Sequence, residues 1–202
     1  MELSRVFRLN HLNKKYYLWA LISSSILAYF IVSKIIPPAG VFDGLGIISI
    51  VVMIDGLLIG LFVTYGWKWR FFYDWFVPFP DLNGTWKGEI NSNYIDENTG
   101  KKIEKIEVEL KIRQSFVHTH CLLETKTMES RSFVAQFDIN KEEQRLKLVY
   151  SYSGEPIASS KDTNPSHFGT AMLNIEDKGT TLKGSYWTDR ETTGELIFKK
   201  KL

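Results

Sequence analysis

Residues 102–114 read KIEKIEVELKIRQ, and from Ile106 onward every second side chain is a branched aliphatic: Ile106, Val108, Leu110 and Ile112. Glu107, Glu109 and Lys111 lie between them. A repeat of two sends successive side chains to opposite faces of an extended chain, so this segment is a strand with one dry and one wet face. The pattern continues on both sides. Trp86, Gly88 and Ile90 share a face of Thr85–Tyr94, and Leu146, Leu148, Tyr150 and Tyr152 share one of Arg145–Ser153. In Thr180–Thr188 the inward set is Leu182, Gly184, Tyr186 and Thr188, with Arg190 continuing its parity. Val117–Thr127, Arg131–Asn140, Phe168–Glu176 and Thr193–Lys199 complete about eight expected strands. Short connectors such as Lys141–Gln144 and Asp177–Gly179 join neighbours in order. The sequence therefore predicts an all-β domain, an eight-stranded antiparallel up-and-down barrel, because closure removes exposed edges. A two-sheet sandwich is the alternative. An eight-stranded interior has room for side chains or for one small ligand.

The first third of the chain is different in kind. Residues 16–36, YYLWALISSSILAYFIVSKII, and 45–67, LGIISIVVMIDGLLIGLFVTYGW, each carry a single charge, Lys34 and Asp55. Both stretches are long enough for the roughly 30 Å hydrocarbon core of a bilayer. The first apolar run is too long for a cleaved signal, and no small-residue cleavage site follows it before Pro37-Pro38. Residues 37–44 break helix, so a transmembrane hairpin is expected. Arg5, Arg8, Lys14 and Lys15 precede it, Lys68 and Arg70 follow it, and the connector has no Lys or Arg. The asymmetry places both termini of a two-helix membrane protein in the cytoplasm. Trp19, Trp67 and Trp69 with Tyr16, Tyr17 and Tyr73 fall where interfacial aromatics belong. Pro78 and Pro80 mark the boundary, giving a hairpin with its linker over 1–80 and a cytosolic barrel over 81–202.

Charge narrows the function. Residues 1–80 hold 7 Lys+Arg against 4 Asp+Glu, and residues 81–202 hold 18 against 19. A barrel at −1 has no basic face with which to release counterions from long nucleic acid, so no such partner is expected. The one cysteine, Cys121, permits no internal disulfide and fits a reducing compartment. By parity it packs inside the barrel. His118 and His120 are read as surface residues beside Glu124 rather than as metal ligands. There is no Gly-x-Ser-x-Gly, no Walker loop and no Cys-pair spacing. We expect no catalysis, no metal and no cofactor.

Two resemblances follow from particular residues. Gly84-Thr85-Trp86 is similar to the Gly-x-Trp that opens lipocalin-like barrels. Two apolar helices followed by this barrel, with Gly84, Trp86 and the run Gly184-x-Tyr186-x-Thr188-x-Arg190 in LKGSYWTDRETTGELIF, resemble the CBASS antiphage effectors with two transmembrane helices and a β-strand-rich domain. Members of that family are encoded beside cyclic-oligonucleotide synthases (CD-NTases). The resemblance implies a barrel that binds a cyclic dinucleotide made during infection, homo-oligomerises and disrupts the inner-membrane lipid, so that the cell dies before the phage matures.

If the strands run up and down, one rim collects Ser92 and Tyr94, Thr125, Arg131, Tyr150 and Tyr152, and Tyr186, Thr188 and Arg190. This is the rim away from the membrane linker. Guanidinium forks suit phosphate oxygens and aromatic faces suit bases. Tyr94, Arg131, Tyr150, Tyr152, Tyr186, Thr188 and Arg190 are therefore the expected cyclic dinucleotide site. Tyrosines that cap a core and solvated arginines are the plainer reading of the same residues. In the second helix Asp55 is costly at mid-bilayer, and Gly56-x-x-x-Gly60 permits close helix approach. These three are expected to form a seam between protomers, the alternative being packing within one hairpin. A membrane-anchored lipid or small-molecule binder of lipocalin type and a scaffolding protein with a solid barrel are the competing functions.

Overall fold

A computed structural model describes residues 14–37, 40–95, 100–140, 142–158 and 165–201, with the side chains of 41–43 outside that description. Arg5 and Arg8, and parts of the 37–44, 95–101 and 154–167 connectors, lie outside the described residues. Contacts divide the chain into two units, Met1–Pro78 and Phe79–Leu202.

The first unit is built on α1 (Lys14–Ile35) and α2 (Val41–Thr64). Each is long and apolar enough to cross a membrane. Only a narrow stripe is covered. Ala28 and Val32 of α1 pack on Ile47 and Val51 of α2, and most other large side chains, among them Trp19, Phe30, Ile48 and Leu57, are exposed. Helices that leave their apolar surface uncovered are consistent with association with a membrane. After α2 two short 3-10 turns, Gly66–Lys68 and Arg70–Phe72, bring Phe72 and Phe76 against Phe62. The Tyr17 hydroxyl donates to the Phe76 carbonyl at 2.5 Å.

The second unit is a closed barrel of β1 (Gly84–Ser92), β2 (Ile106–Gln114), β3 (Thr119–Glu124), β4 (Met128–Asn140), β5 (Arg145–Pro156), β6 (His167–Glu176), β7 (Thr181–Thr188) and β8 (Thr193–Lys200). Every neighbour is antiparallel, and β8 returns to β1 with Gly88 opposite Phe198. The barrel, and not the sandwich, is the fold. Its interior holds the predicted inward residues Trp86, Leu110, Leu148, Tyr150 and Leu182, joined by Leu173 of β6 and Phe198 of β8, all of them buried.

One strand departs from simple alternation. A bulge between Ser132 and Val134 puts both Phe133 and Val134 on the outer wall, and restores Ala135 and Phe137 to the core.

Candidate ligand site

The two ends of the barrel differ. At the rim where β1 begins, a strap over residues 79–83 closes the interior. Leu82 is fully buried, its N–H donates to Gln114 Oε1 at 2.7 Å, and its carbonyl accepts from Trp86 Nε1 at 3.0 Å. Gln114 Nε2 donates onward to the Pro80 carbonyl at 3.2 Å, while the Phe79 ring stacks on Phe137 at 4.9 Å. A buried glutamine with both ends of its amide satisfied locks this strap in place. The expected site residues lie at the other rim, where β1 ends.

That rim carries a layer of rings. Tyr150 lies deepest at 2 % exposure, and Tyr152 above it at 5 %, their rings 5.9 Å apart. His167 meets Tyr152 edge to face at 6.1 Å. Two inward-facing glycines make this crowding possible. A Cβ at Gly169 would stand 2.5 Å from the Tyr152 hydroxyl, and one at Gly194 would stand 2.6 Å from the Tyr186 ring. Tyr186 is half-buried, with Ser92 as a hydrogen-bond partner. Thr188 shares a 2.6 Å hydroxyl contact with Thr192, and its Oγ1 accepts from the Arg190 N–H at 3.3 Å, which shapes the turn that holds the half-buried Arg190.

Burial sets the proton states here. It pushes the hydroxyls of Tyr150, Tyr152 and Tyr186 above the ordinary phenol value, with Ser92 drawing Tyr186 partly back. The same loss of water, reinforced by Arg190, lowers the His167 imidazole below 6.5, while Asp189 and a hydrogen bond to the Pro165 backbone oppose it. His167 is therefore neutral at pH 7. The layer presents phenol donors, a neutral imidazole and one guanidinium. The Tyr150 hydroxyl has no partner among the described residues.

The structure brings together Tyr150, Tyr152, Tyr186, Thr188 and Arg190, and separates two expected members. Arg131 departs from its expected inward direction. It points outward, largely exposed, and pairs with Glu129 on the outer wall. Counting back from the inward Phe137 would put Arg131 inside, but the Ser132/Val134 bulge inverts the parity, so Met128 and Ser130 are the inward residues. Tyr94 lies beyond the end of β1 at 42 % exposure, outside the buried layer of rings. His167 was missed because β6 was expected to open at Phe168; extending the Ala171–Gly169 parity back by one step would have found it.

The helical trio also separates. Asp55 is buried against α1, where Ser24 and Ser25 donate to its two carboxylate oxygens at 2.8 and 2.6 Å. Gly56 and Gly60 are exposed, with nothing within 4 Å of an added Cβ. Asp55 therefore ties one hairpin together, and the glycines look away from it. The alternative of packing within one hairpin thus describes Asp55, while the two glycines lie on the uncovered face of α2.

An open groove of about 910 Å³ also runs across the outer wall, lined by Lys87, Glu107, Glu109, Glu124, Lys126 and Lys199 among others. Its opposed charges favour neither a diphosphate ring nor a base. Among the described residues no cluster of His, Cys, Asp and Glu could hold a metal ion; His120 is exposed on the outer wall, and Glu124 pairs with Lys111 at 2.5 Å.

The strap and the barrel are what comparison recognises. The family described as "Cap15, cyclic dinucleotide receptor domain" matches residues 77–200. The chain belongs to the Cap15 receptor family. It is 33% identical to the CD-NTase-associated protein 15 of Staphylococcus schleiferi over 147 residues, which is 70% of this chain and 75% of that protein. A protein of the same name from Escherichia albertii is 27% identical over 146 residues, 70% and 72% of the two chains. The Cap15 match ends at Lys200, the last residue of β8, and so takes in the strap and all eight strands. Membership assigns the chain to cyclic dinucleotide sensing in CBASS, within a family of receptors and not of enzymes.

Proposed function

We propose that the barrel takes its cyclic dinucleotide at the rim where β1 ends, that occupied barrels gather neighbouring copies, and that the gathered hairpins disrupt the inner membrane and abort the infection. The observation that carries the site is the ring layer with one guanidinium at its edge, inside a domain of the Cap15 family. Arg190 offers a fork of donors to phosphate oxygens, and Tyr152, Tyr186 and His167 offer ring faces and edges to the bases. Tyr150, whose hydroxyl lacks a partner, stands ready as a donor at the floor. Below it Trp86, Leu110, Leu148 and Phe198 fill the interior, which takes up the room a lipid chain would need and weighs against a lipocalin-type cargo.

Lys14, Lys15, Lys68 and Arg70 at the hairpin ends support cytoplasmic termini, hence a barrel on the side where a cyclic dinucleotide is made. A ligand shifts assembly only by binding the assembled state better than the separate one. Confinement to a membrane raises the effective concentration of copies, so modest contacts between barrels suffice.

The test uses the full chain in vesicles of phosphatidylethanolamine and phosphatidylglycerol loaded with dye. Cyclic di-AMP, cyclic di-GMP and cyclic GMP-AMP are added while binding is followed by calorimetry. At least one should bind and release dye. Binding without release would overturn the effector half of the reading, and no binding by any cyclic dinucleotide would overturn the site.

A further inference from the structure

The outer wall of the barrel has two halves. Over β1, β2 and β8 it is studded with charge, including Lys87, Glu89, Glu107, Glu109, Glu195 and Lys199. Over β4 to β7 charge retreats to the margins, with Asp138, Arg145, Lys147 and Lys183 toward one end and Glu129, Arg131 and Glu155 toward the other, and the patch between them carries none. One outward row reads Val134, Ser151, Thr170 and Trp187, and the next reads Gln136, Val149, Met172 and Ser185. On the other side lie Ser153 and Phe168, with Arg131 and its partner Glu129 at the corner. Phe133, thrown outward by the bulge, is 63 % exposed and meets Phe168 edge to face at 6.4 Å. Large exposed aromatics around a small, uncharged, hydroxyl-rich centre are the composition of an interface core.

We infer that this uncharged wall is where the barrels of neighbouring copies meet, each presenting the same wall to the other; the inference rests on the proposed function. The patch itself carries no basic group, which weighs against nucleic acid and anionic headgroups as occupants, since both are held by basic groups. Size selects a second copy over a soluble partner. Four strands about 4.8 Å apart and five residues of strand length give a footprint of roughly 300–400 Å². A stable complex free in solution needs about 800 Å² per partner. A wall of this size holds only partners that are already concentrated beside it, which is what two membrane-crossing helices do for copies of this chain. Like faces meeting like faces also satisfy the rule for a twofold contact.

The wall is wired to the mouth. The Asp189 N–H donates to the Phe168 carbonyl at 3.0 Å, and the Phe168 N–H donates back to Asp189 Oδ1 at 3.1 Å. Asp189 sits between Thr188 and Arg190. A ligand that draws on Arg190 therefore acts on the residue that holds Phe168, one end of the wall, in place.

Native Cys121 is 3 % exposed, so an added cysteine is the one reactive thiol. Full-length Thr170→Cys in vesicles, with whichever of the three cyclic dinucleotides binds, should give a covalent dimer on oxidation with copper phenanthroline. Glu107→Cys, on the charged wall, should not. Adding Ser151→Arg to Thr170→Cys should abolish the dimer while calorimetric binding persists. Dimer formation at Glu107→Cys instead, or at neither position with ligand bound, overturns the wall. Absence of binding by the unmodified chain overturns the functional reading and the wall with it, and calorimetry reports that failure separately from crosslinking.

Discussion

Arg190 and His167 face the same small volume with opposite demands. The positive guanidinium helps keep the imidazole neutral. An incoming phosphate would reverse that pressure, because a nearby anion favours the protonated ring. Binding is therefore expected to take up a proton and to tighten as pH falls through 6.5, the ordinary histidine value. Calorimetry in two buffers of different ionisation heat measures the uptake directly; zero uptake, or the same uptake in His167→Gln, would sink the idea. Without ligand the sign is the other way. The folded value lies below the unfolded one, so stability is full above 6.5 and is lost as pH drops toward the folded value, a slope that His167→Gln should remove. Arg190→Ala should weaken cyclic dinucleotide binding by about 1.5–3 kcal/mol, the range for a hydrogen bond to a charged group, with Lys87→Ala on the outer wall as the neutral control. Unchanged affinity in folded Arg190→Ala would remove it from the site. At this scale the sequence was legible wherever alternation ran unbroken: Tyr150, Tyr152, Tyr186 and Thr188 face inward as their parity requires. It failed at Arg131, because a bulge is one inserted residue that inverts every assignment beyond it and leaves no mark in a hydrophobic pattern.

Among the elements, the helical hairpin shows where a polar residue that is costly in a bilayer finds its hydrogen bonds within one chain. Asp55 and the Gly56–Gly60 pair are close in sequence, but adjacent residues lie about 100° apart around a helix, so a shared face did not follow. Ile47, Val51 and Asp55, four residues apart, form the face that meets α1, and the serines that satisfy the carboxylate were present as Ser24 and Ser25. Measured interhelical hydrogen bonds in membranes average about 0.6 kcal/mol each, so Asp55→Ala should loosen the hairpin by roughly 1 kcal/mol. Reversible unfolding in bilayers would read that loss. Gly60→Leu should leave hairpin stability unchanged, because an added side chain there starts in open space. A hairpin destabilised by Gly60→Leu as strongly as by Asp55→Ala would contradict the assignment of faces. Barrel strands were the more legible elements. Their number and order are dictated by period-two runs and short turns, whereas the strap of Phe79 to Asn83 has no period and is recognisable only through the glutamine that ties it down.

At the scale of the whole molecule, two units of unlike chemistry share one chain, and the proposed activity needs both. The barrel contributes recognition and a wall too small to hold a partner unaided, while the helices contribute an apolar surface and the confinement that makes the wall sufficient. Cutting the chain should therefore separate the properties cleanly. A barrel of residues 79–202 should bind the same cyclic dinucleotide as the full chain, remain monomeric at micromolar concentration and leave cells expressing a cognate synthase impermeable to dye. The full chain in the same cells should admit dye once the synthase is active. Barrel held at the membrane by an inert lipid anchor and supplied in excess gives a sharper measurement, because its uncharged wall competes for neighbouring copies without bringing helices. It should suppress dye entry in proportion to its amount, and Ser151→Arg barrel, which keeps the ligand site but spoils the wall, should suppress it only by consuming ligand. Equal suppression by the two barrels when ligand is saturating would show that assembly does not pass through this wall. Dye entry caused by the isolated barrel would show that the helices are not the damaging element.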